Sequence, residues 1–274
     1  MVEPLDTGTD ELLAHIEEGV AVLTLNRPQV RNALSDTLSP ALRTTIASLR
    51  NDARVRAVLV TGAGSAFCAG GDVKGMGARR SNPANAPSIE EVVADQTRRQ
   101  MELTGALYAL PQPTIAALPG PAAGAGFSIA LACDLRIMAA SAFVTTGFGN
   151  VGLSGDYGAS FFLTHLVGTA RARELFFSGE RVSAESCERL GIANRVVPDE
   201  RLMDEALAWA RRLAAGPTVA YGLMKANLDR ALHQDLPACL AGEAEAVVRS
   251  SQTEDHREAV RAFVEKRPPR FEGR

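Results

Sequence analysis

Residues 56–74 read RAVLVTGAGSAFCAGGDVK, an apolar run that passes into a loop rich in glycine and alanine. Residues 114–131, TIAALPGPAAGAGFSIAL, have the same arrangement: a buried-strand pattern, a glycine-rich loop and an apolar helix. Glycine leaves the backbone N–H groups of such loops uncovered, so two converging loops can hold an oxyanion. Taken alone, either loop is equally compatible with a tight turn.

Outward from these loops, the first two-thirds of the chain alternates between strand and helix patterns. Two apolar runs around a Glu-Glu-Gly turn predict a β-hairpin over 11–25, and apolar spacing predicts a helix within 32–49. Ser88 and Glu91 form a capping-box pattern that predicts a helix reaching Leu110. We therefore expect an α/β fold in this part of the chain.

The last quarter of the chain has a different pattern. From Arg201 onward it is rich in alanine and shows helical apolar spacing almost throughout. We predict two units, an α/β core over residues 1–200 and a helical region over 201–274.

Composition excludes several classes of partner. The 274 residues carry 29 basic and 32 acidic side chains, a net charge of −3, so nucleic acid is not an expected partner. No apolar run approaches the roughly 20 residues that span a bilayer, so no membrane is expected either. The four cysteines form no CxxC pair, and the amino terminus lacks a signal-peptide pattern. We expect a cytoplasmic protein.

Familiar catalytic motifs are missing or incomplete. Residues 124–129 match only the first half of GxGxxG, and no acidic residue follows at the distance that a dinucleotide site requires. Neither a phosphate-binding GxxxxGK[ST] loop nor a GxSxG elbow occurs. Cys68 lies among glycines but has no partner histidine in the pattern, which favours a small buried residue over a nucleophile.

Taken in order, several short segments resemble the crotonase superfamily, the enoyl-CoA hydratase/isomerase family. They are LNRP at 25–28, NAL at 32–34, SAFCAGGDVK at 65–74, GPAAGAG at 120–126 and CD at 133–134. The resemblance runs from about Leu12 to the end of the chain. It implies a crotonase-like spiral of ββα units and a helical carboxyl-terminal region used in trimerisation. It also implies an acyl-CoA thioester substrate, with coenzyme A present only as part of that substrate and no metal.

The resemblance assigns roles to specific positions. The N–H groups of Gly71 and Ala125 would form the oxyanion hole that grips the thioester oxygen. Contacts with coenzyme A would come from the following residues: Gln29, Arg31, Ala69, Gly71, Asp72, Val73, Lys74, Ala125 and Phe148. Lys74 could pair with a phosphate of coenzyme A or could simply be a solvated lysine.

Two positions depart from a hydratase of this family. Such hydratases hold and activate a water molecule with two glutamates, and the matching positions here are Ser128 and Phe148. A serine hydroxyl is a poor base near neutral pH, and phenylalanine can neither accept a proton nor hold water. The resemblance therefore does not extend to the water-activating pair.

Asp156 provides another carboxylate, eight residues after Phe148. Its position resembles that of the catalytic acid in the isomerases of the superfamily and of the nucleophile in its aryl-CoA dehalogenases. An apolar surrounding such as Phe148 and Phe161 would raise its pKa and make it a better base. Asp156 could instead cap a helix that begins near Ala159.

We predict proton-shift isomerisation of an enoyl-CoA, with Asp156 as acid and base. Four alternatives remain: a hydratase with unusual water activation, a dehalogenase, a thioesterase-like enzyme, and an acyl-CoA binder without catalysis. The apolar faces of the carboxyl-terminal helices and the resemblance together predict a homotrimer or a dimer of trimers.

Overall fold

A computed structural model describes residues 2–71 and 87–274 of the chain. The strands are β1 (Val2–Leu5), β2 (Leu12–Glu17), β3 (Val20–Leu25), β4 (Ala57–Gly62), β5 (Thr114–Leu118), β6 (Ala122–Ala123), β7 (Leu135–Ala139), β8 (Phe143–Thr145), β9 (Val182–Ser183) and β10 (Arg195–Val197). The helices are α1 (Leu38–Leu49), α2 (Ile89–Gln100), α3 (Ala106–Tyr108), α4 (Ala125–Ala132), α5 (Ala159–Ser178), α6 (Ala184–Arg189), α7 (Leu202–Ala214), α8 (Thr218–Ala231), α9 (Leu236–Ser251) and α10 (Glu254–Val264).

Most of the strands belong to one sheet with the order β1-β2-β3-β4-β5-β7-β10. The β1–β2 and β2–β3 pairs are antiparallel, and every pair from β3 to β10 is parallel. The short strands β6, β8 and β9 form a second sheet. This mixed α/β architecture confirms the predicted fold class.

The sheet explains why the two glycine-rich loops meet. β4 and β5 are fully buried parallel neighbours, and Val58 is in register with Thr114. Their near-continuous apolar sequences are typical of strands that are covered on both faces. Because the carboxyl ends of parallel neighbours lie at the same edge of the sheet, the loops that follow β4 and β5 begin side by side.

The predicted hairpin and the predicted capping box are both confirmed. β2 and β3 pair from Leu12 and Leu25 to Glu17 and Val20. The Ser88 hydroxyl accepts from the Glu91 N–H while the Glu91 carboxylate accepts from the Ser88 N–H.

The helix predicted within 32–49 begins later than its pattern suggested, at Leu38. Asn32 adopts a left-handed conformation with φ 57° and is fully buried. Its side chain accepts from the Arg27 N–H at 2.8 Å and donates to the carbonyls of Ala63 and Ala66 at 3.0 and 2.8 Å. These hydrogen bonds hold Asn32 against the first glycine-rich loop, so Asn32 is not part of the helix.

The carboxyl-terminal helices differ in how they contact the core. α7 buries Leu202, Ala206, Ala210 and Ala214, which belong to the same apolar cluster as the central sheet. α8 buries no residue, and α9 buries only Ala246. α8 contacts the core through polar groups instead: Lys225 pairs with Asp134, and the Tyr108 hydroxyl donates to Asp229.

Candidate active site

The two glycine-rich loops are in direct contact. The N–H of Ala123 donates to the Cys68 carbonyl at 2.9 Å, and Cys68 and Ala122 form a parallel bridge. Gly70 has φ 90°, and a Cβ atom there would lie 2.7 Å from the Ala123 carbonyl oxygen and 3.5 Å from the Ala125 nitrogen. Only glycine allows this approach without displacing backbone.

Gly71 and Ala125 lie on either side of this contact. Ala125 is the first residue of α4, so its N–H has no acceptor within the helix. Gly71 forms a bridge with Leu34 through the neighbouring Gly70 carbonyl, to which the Leu34 N–H donates. Neither the Gly71 N–H nor the Ala125 N–H donates to a backbone carbonyl of the described residues. Both N–H groups are thus without a backbone acceptor in the described part of the chain.

Asp156 lies in the loop between β8 and α5 and is partly buried. Burial raises the pKa of Asp156 to about 6. Its Oδ1 atom is buried and has no hydrogen-bond partner among the described residues. A carboxylate that loses water without gaining a donor holds its proton more tightly, which accounts for the raised pKa.

Asp156 does not cap the helix that follows it. The N-cap residue of α5 is Gly158, and no side chain accepts a hydrogen bond there. The capping role considered from the sequence is therefore wrong, because the chain turns through Gly158 in a left-handed conformation instead.

Ser128, at the first of the two hydratase glutamate positions, is fully buried on α4. Its hydroxyl makes hydrogen bonds to the carbonyl oxygens of Gly124 and Asp156, at 3.2 and 3.0 Å. The hydroxyl has one proton, so the two carbonyls share it. Ser128 thus joins the helix that begins at Ala125 to the backbone of Asp156.

Phe148, at the second of the two hydratase glutamate positions, provides an apolar surface. It is buried and stacks on Phe176 with ring centroids 6.0 Å apart and an angle of 18° between the planes. Cβ atoms built on Gly124 and Gly155 would both lie 3.6 Å from its ring. Phe148 therefore fills the space between the second glycine-rich loop and the loop that carries Asp156.

Phe161 was expected, together with Phe148, to form the apolar surrounding of Asp156. Its ring packs against Tyr108, Phe162 and His165, whereas the ring that stacks on Phe148 belongs to Phe176. Phe161 is the third residue of α5, whereas Phe176 lies near the end of the helix and contacts the preceding loop at Gly155. An apolar sequence pattern does not distinguish these two positions.

The structure describes some of the residues that were predicted to contact coenzyme A. Gln29 lies in a short helical turn over Pro28–Val30, and Arg31 follows it; both side chains are exposed. Arg31 is adjacent to Ala69, because the Ala69 N–H donates to the Arg31 carbonyl at 2.9 Å. Gln29, Arg31 and Ala69 therefore lie on the exposed side of the first loop. Asp72, Val73 and Lys74 lie outside the described residues.

Cys68 has the properties of a structural residue. It is fully buried, its thiol donates to the Asn32 carbonyl at 3.0 Å, and burial raises its pKa to about 12. A protonated, enclosed thiol is not a nucleophile. In the part of the chain that the structure describes, no group of His, Cys, Asp and Glu side chains could hold a metal ion, and no helix could cross a bilayer.

The second glycine-rich loop, Phe148 and the loop of Asp156 are therefore neighbours, linked by the Ser128 hydroxyl and the Phe148 ring. Residues 15–274 match the family model described as "Enoyl-CoA hydratase/isomerase". The chain belongs to this family.

Similar proteins are found over nearly the full length. "Probable enoyl-CoA hydratase" of Rhodobacter capsulatus is 39% identical over 94% of this chain and 96% of its own. "1,2-epoxyphenylacetyl-CoA isomerase" of Escherichia coli is 37% identical over 96% of this chain and 98% of its own. The crystal structure of enoyl-CoA hydratase from Bacillus anthracis superposes with a TM-score of 0.88 at 31% identity, covering 96% of this chain and 100% of that one.

One residue near Asp156 was not anticipated from the sequence. The Gln100 Oε1 atom accepts a hydrogen bond from the Tyr157 N–H at 2.6 Å, across 57 positions of the chain. No local signal could have revealed it, because Gln100 is a polar residue at the end of an otherwise exposed helix.

Proposed function

We propose that this chain is an acyl-CoA isomerase in which Asp156 moves a proton between two carbons of an enoyl group. The observation that carries the proposal is the Asp156 carboxylate itself. Its pKa is raised to about 6, one of its oxygens is unpaired among the described residues, and its backbone is tied to the helix that begins at Ala125. A base of this kind is matched to proton transfer near neutral pH.

The N–H groups of Gly71 and Ala125 bind the thioester oxygen in this mechanism. Negative charge accumulates on that oxygen as the proton leaves carbon. Preorganised donors of this kind typically contribute about 3 to 4 kcal/mol each to transition-state stabilisation. Gln29, Arg31 and Ala69 hold coenzyme A on the exposed side of the first loop, and Asp72, Val73 and Lys74 continue that contact.

The proton transfer needs no added water. The Asp156 carboxylate takes a proton from C2 of a 3-enoyl thioester, and the electron pair of that C–H bond enters a dienolate extending from the oxygen to C4. The carboxylic acid then returns the proton to C4. The product is the 2-enoyl thioester, and the carboxylate is regenerated.

Hydration is disfavoured by the residues at the two glutamate positions. The Ser128 hydroxyl is already bonded to main-chain carbonyls, and the Phe148 ring occupies the place where a second carboxylate would hold water. The name of the Escherichia coli relative, an isomerase acting on an acyl-CoA, is consistent with proton transfer without hydration.

We further propose that the substrate thioester brings the only coenzyme and that residues 201–274 serve assembly into a trimer or a dimer of trimers in the cytoplasm. Large apolar side chains on α8, α9 and α10 support an assembly surface. They include Met224, Leu228, Leu240, Val247 and Phe263, each more than half exposed in the single chain.

The decisive experiment follows hydrogen rather than product alone. The purified protein is incubated in D₂O with saturated, 2-enoyl and 3-enoyl CoA thioesters, and the mass and ultraviolet spectrum of each thioester are recorded. Conversion of 3-enoyl to 2-enoyl thioester with deuterium incorporation and no gain of water supports the isomerase. Water addition would identify a hydratase instead. A trapped covalent adduct on Asp156 would identify nucleophilic chemistry, and binding without any exchange would identify a non-catalytic binder.

A further inference from the structure

We propose that Gln100 is a positioning residue that holds the Asp156 carboxylate in its working orientation. The inference rests on the proposed function, because it concerns the base of that reaction. Two side-chain hydrogen bonds hold the peptide unit that joins Asp156 to Tyr157. The carbonyl of this unit accepts from the Ser128 hydroxyl at 3.0 Å, and its N–H donates to Gln100 Oε1 at 2.6 Å.

The two bonds act on the same rigid plane. A peptide is planar, so fixing its C=O and its N–H fixes its orientation as a whole. That orientation sets the ψ angle of Asp156 and the φ angle of Tyr157. It therefore restricts the direction in which the Asp156 side chain leaves the backbone. Ser128 fixes this plane relative to α4, and Gln100 fixes it relative to α2.

The carbonyl of this peptide also accepts from the Ala159 N–H at 3.2 Å, whereas its N–H has the Gln100 side chain as its described acceptor. Tyr157 has φ 52°, a left-handed conformation that is uncommon for a residue with a side chain. Gly155 precedes Asp156 and has φ 108°, and Gly158 follows Tyr157 and has φ 79°. Glycines permit many backbone conformations, so the native one must be held by specific contacts. The Gln100 bond is the side-chain contact to the Tyr157 N–H.

Gln100 is itself well anchored. It is the last residue of α2 and is followed by a wide π-helical turn over Met101–Gly105. α2 buries none of its residues, whereas the π-turn carries Leu103 and Thr104 into the core, and the Thr104 hydroxyl donates to the Gln100 carbonyl at 3.2 Å. Such turns are frequent at functional sites. Here the turn fixes the end of α2 from which Gln100 reaches the Tyr157 N–H.

Precise placement matters because one carboxylate must serve two carbons. It removes a proton from one and returns it to the other, so an error in its direction affects both transfers. Misplacement of a reacting group by about 1 Å can cost on the order of 10²-fold in rate. Loss of the Gln100 contact should therefore lower turnover without altering the surface that binds coenzyme A.

The test compares Gln100→Met with Gln96→Met. Gln96 lies one turn earlier on α2, and its side chain makes no hydrogen bond within residues 2–71 and 87–274. For isomerisation of a 3-enoyl-CoA we expect Gln100→Met to lower kcat about tenfold or more, with KM within about twofold of the parent value. Gln96→Met should match the parent in both constants.

A third variant, Gln100→Glu, keeps an acceptor at the same reach. We expect it to recover most of the lost kcat. Because it adds a negative charge one peptide unit away from Asp156, it should also move the acidic limb of the pH profile of kcat to higher pH. An unshifted acidic limb would show that residue 100 is not close to the catalytic base, and failure to recover kcat would show that the acceptor is not what Gln100 contributes; either result would count against the inference.

Amide hydrogen exchange tests the contact without any substrate. The Tyr157 N–H should exchange faster in Gln100→Met than in the parent and in Gln96→Met. Unchanged Tyr157 exchange, or faster exchange with an unchanged kcat, would overturn the inference. Failure of the parent protein to isomerise any enoyl-CoA would overturn the proposed function instead, and the exchange data would then still report on the contact.

Discussion

Asp156 is partly buried, and within residues 2–71 and 87–274 its Oδ1 atom has no hydrogen-bond partner and no cation lowers its pKa. Most buried carboxylates in proteins are paired with a cation or a set of donors, because an isolated charge loses the solvation that water provides. The pKa of about 6 is the expected response to this situation. Three measurable consequences follow at the scale of this residue.

The first consequence concerns catalysis. Asp156→Asn keeps the size of the side chain and removes its ability to accept and return a proton. We expect the rate of isomerisation to fall by about 10² to 10⁴-fold, the range that general acid–base groups contribute. Steady-state assays with a 3-enoyl-CoA measure the change. Asp204→Asn, which alters an exposed carboxylate on α7, is the matched control and should retain full activity.

The second consequence is a pH profile. Asp156 must be ionised in the free enzyme to take a proton from substrate. We therefore expect kcat/KM to rise with pH through a value of about 6 and to level off above it. A profile that is flat between pH 5 and pH 8 would argue that another group is the base.

The third consequence concerns stability. The pKa of Asp156 is about 6 in the folded chain, against an ordinary value of 3.8 for this side chain, so the folded state binds the proton more tightly than the unfolded chain. The ionised carboxylate thus destabilises the fold above pH 6, and this penalty fades as the pH falls from about 6 towards 3.8. Asp156→Asn should therefore stabilise the protein at pH 7, by at most about 3 kcal/mol. Urea unfolding at pH 7 and at pH 4 measures the difference, which should be much smaller at pH 4.

At the scale of elements, the helix α4 connects the oxyanion site to a buried arginine. Arg136 lies on β7 and is 5% exposed, and its guanidinium donates to the carbonyls of Cys133 and Ile192 at 2.5 Å. It also reaches the Leu131 carbonyl at 3.4 Å. Its positive charge therefore lies at the carboxyl end of α4, where the helix dipole is negative.

We expect removal of the Arg136 guanidinium to destabilise α4. Arg136→Met leaves several buried carbonyls without donors, and we expect a loss of about 3 kcal/mol or more in the free energy of unfolding. Arg173→Met is the control, because Arg173 is an exposed residue of α5 with no partner in the described structure. Equal unfolding midpoints for the two variants in urea would contradict this account of α4.

The elements also show what a sequence pattern can and cannot predict. The buried runs of β4 and β5 and the capping box at Ser88 follow local rules, so they were predicted correctly. The start of α1 was not, because the side chain of Asn32 makes its bonds to residues about 30 positions away. The contact of Gln100 with Tyr157 was missed for the same reason: a hydrogen bond between distant parts of the chain has no local pattern.

At the scale of the whole molecule, α8, α9 and α10 carry large apolar side chains that are exposed in the single chain. Leu228 is 71% exposed and Phe263 is 84% exposed. Patches of this kind usually mark interaction surfaces. We expect the native mass to correspond to three, or twice three, chains of 29.0 kDa.

Mass photometry or light scattering at micromolar concentration provides the measurement. Leu228→Glu, which puts a charge on this surface, should shift the population towards the single chain. Phe177→Glu is the control, since Phe177 is 82% exposed on α5 and lies outside the carboxyl-terminal helices. A parent protein that is already a monomer at this concentration would exclude the assembly.

The bond between Ser128 and Asp156 also constrains how this chain could change over evolution. Acquiring a hydratase's glutamate at position 128 would remove the hydroxyl that the Asp156 carbonyl uses and would bring a charge into a fully enclosed space. Position 148 would need to change at the same time, since Phe148 is packed against Phe176. On the proposed function, a glutamate at one of these positions alone would disturb the packing without completing a water-activating pair. We therefore expect the effects of the two substitutions on hydration to be non-additive, a form of epistasis.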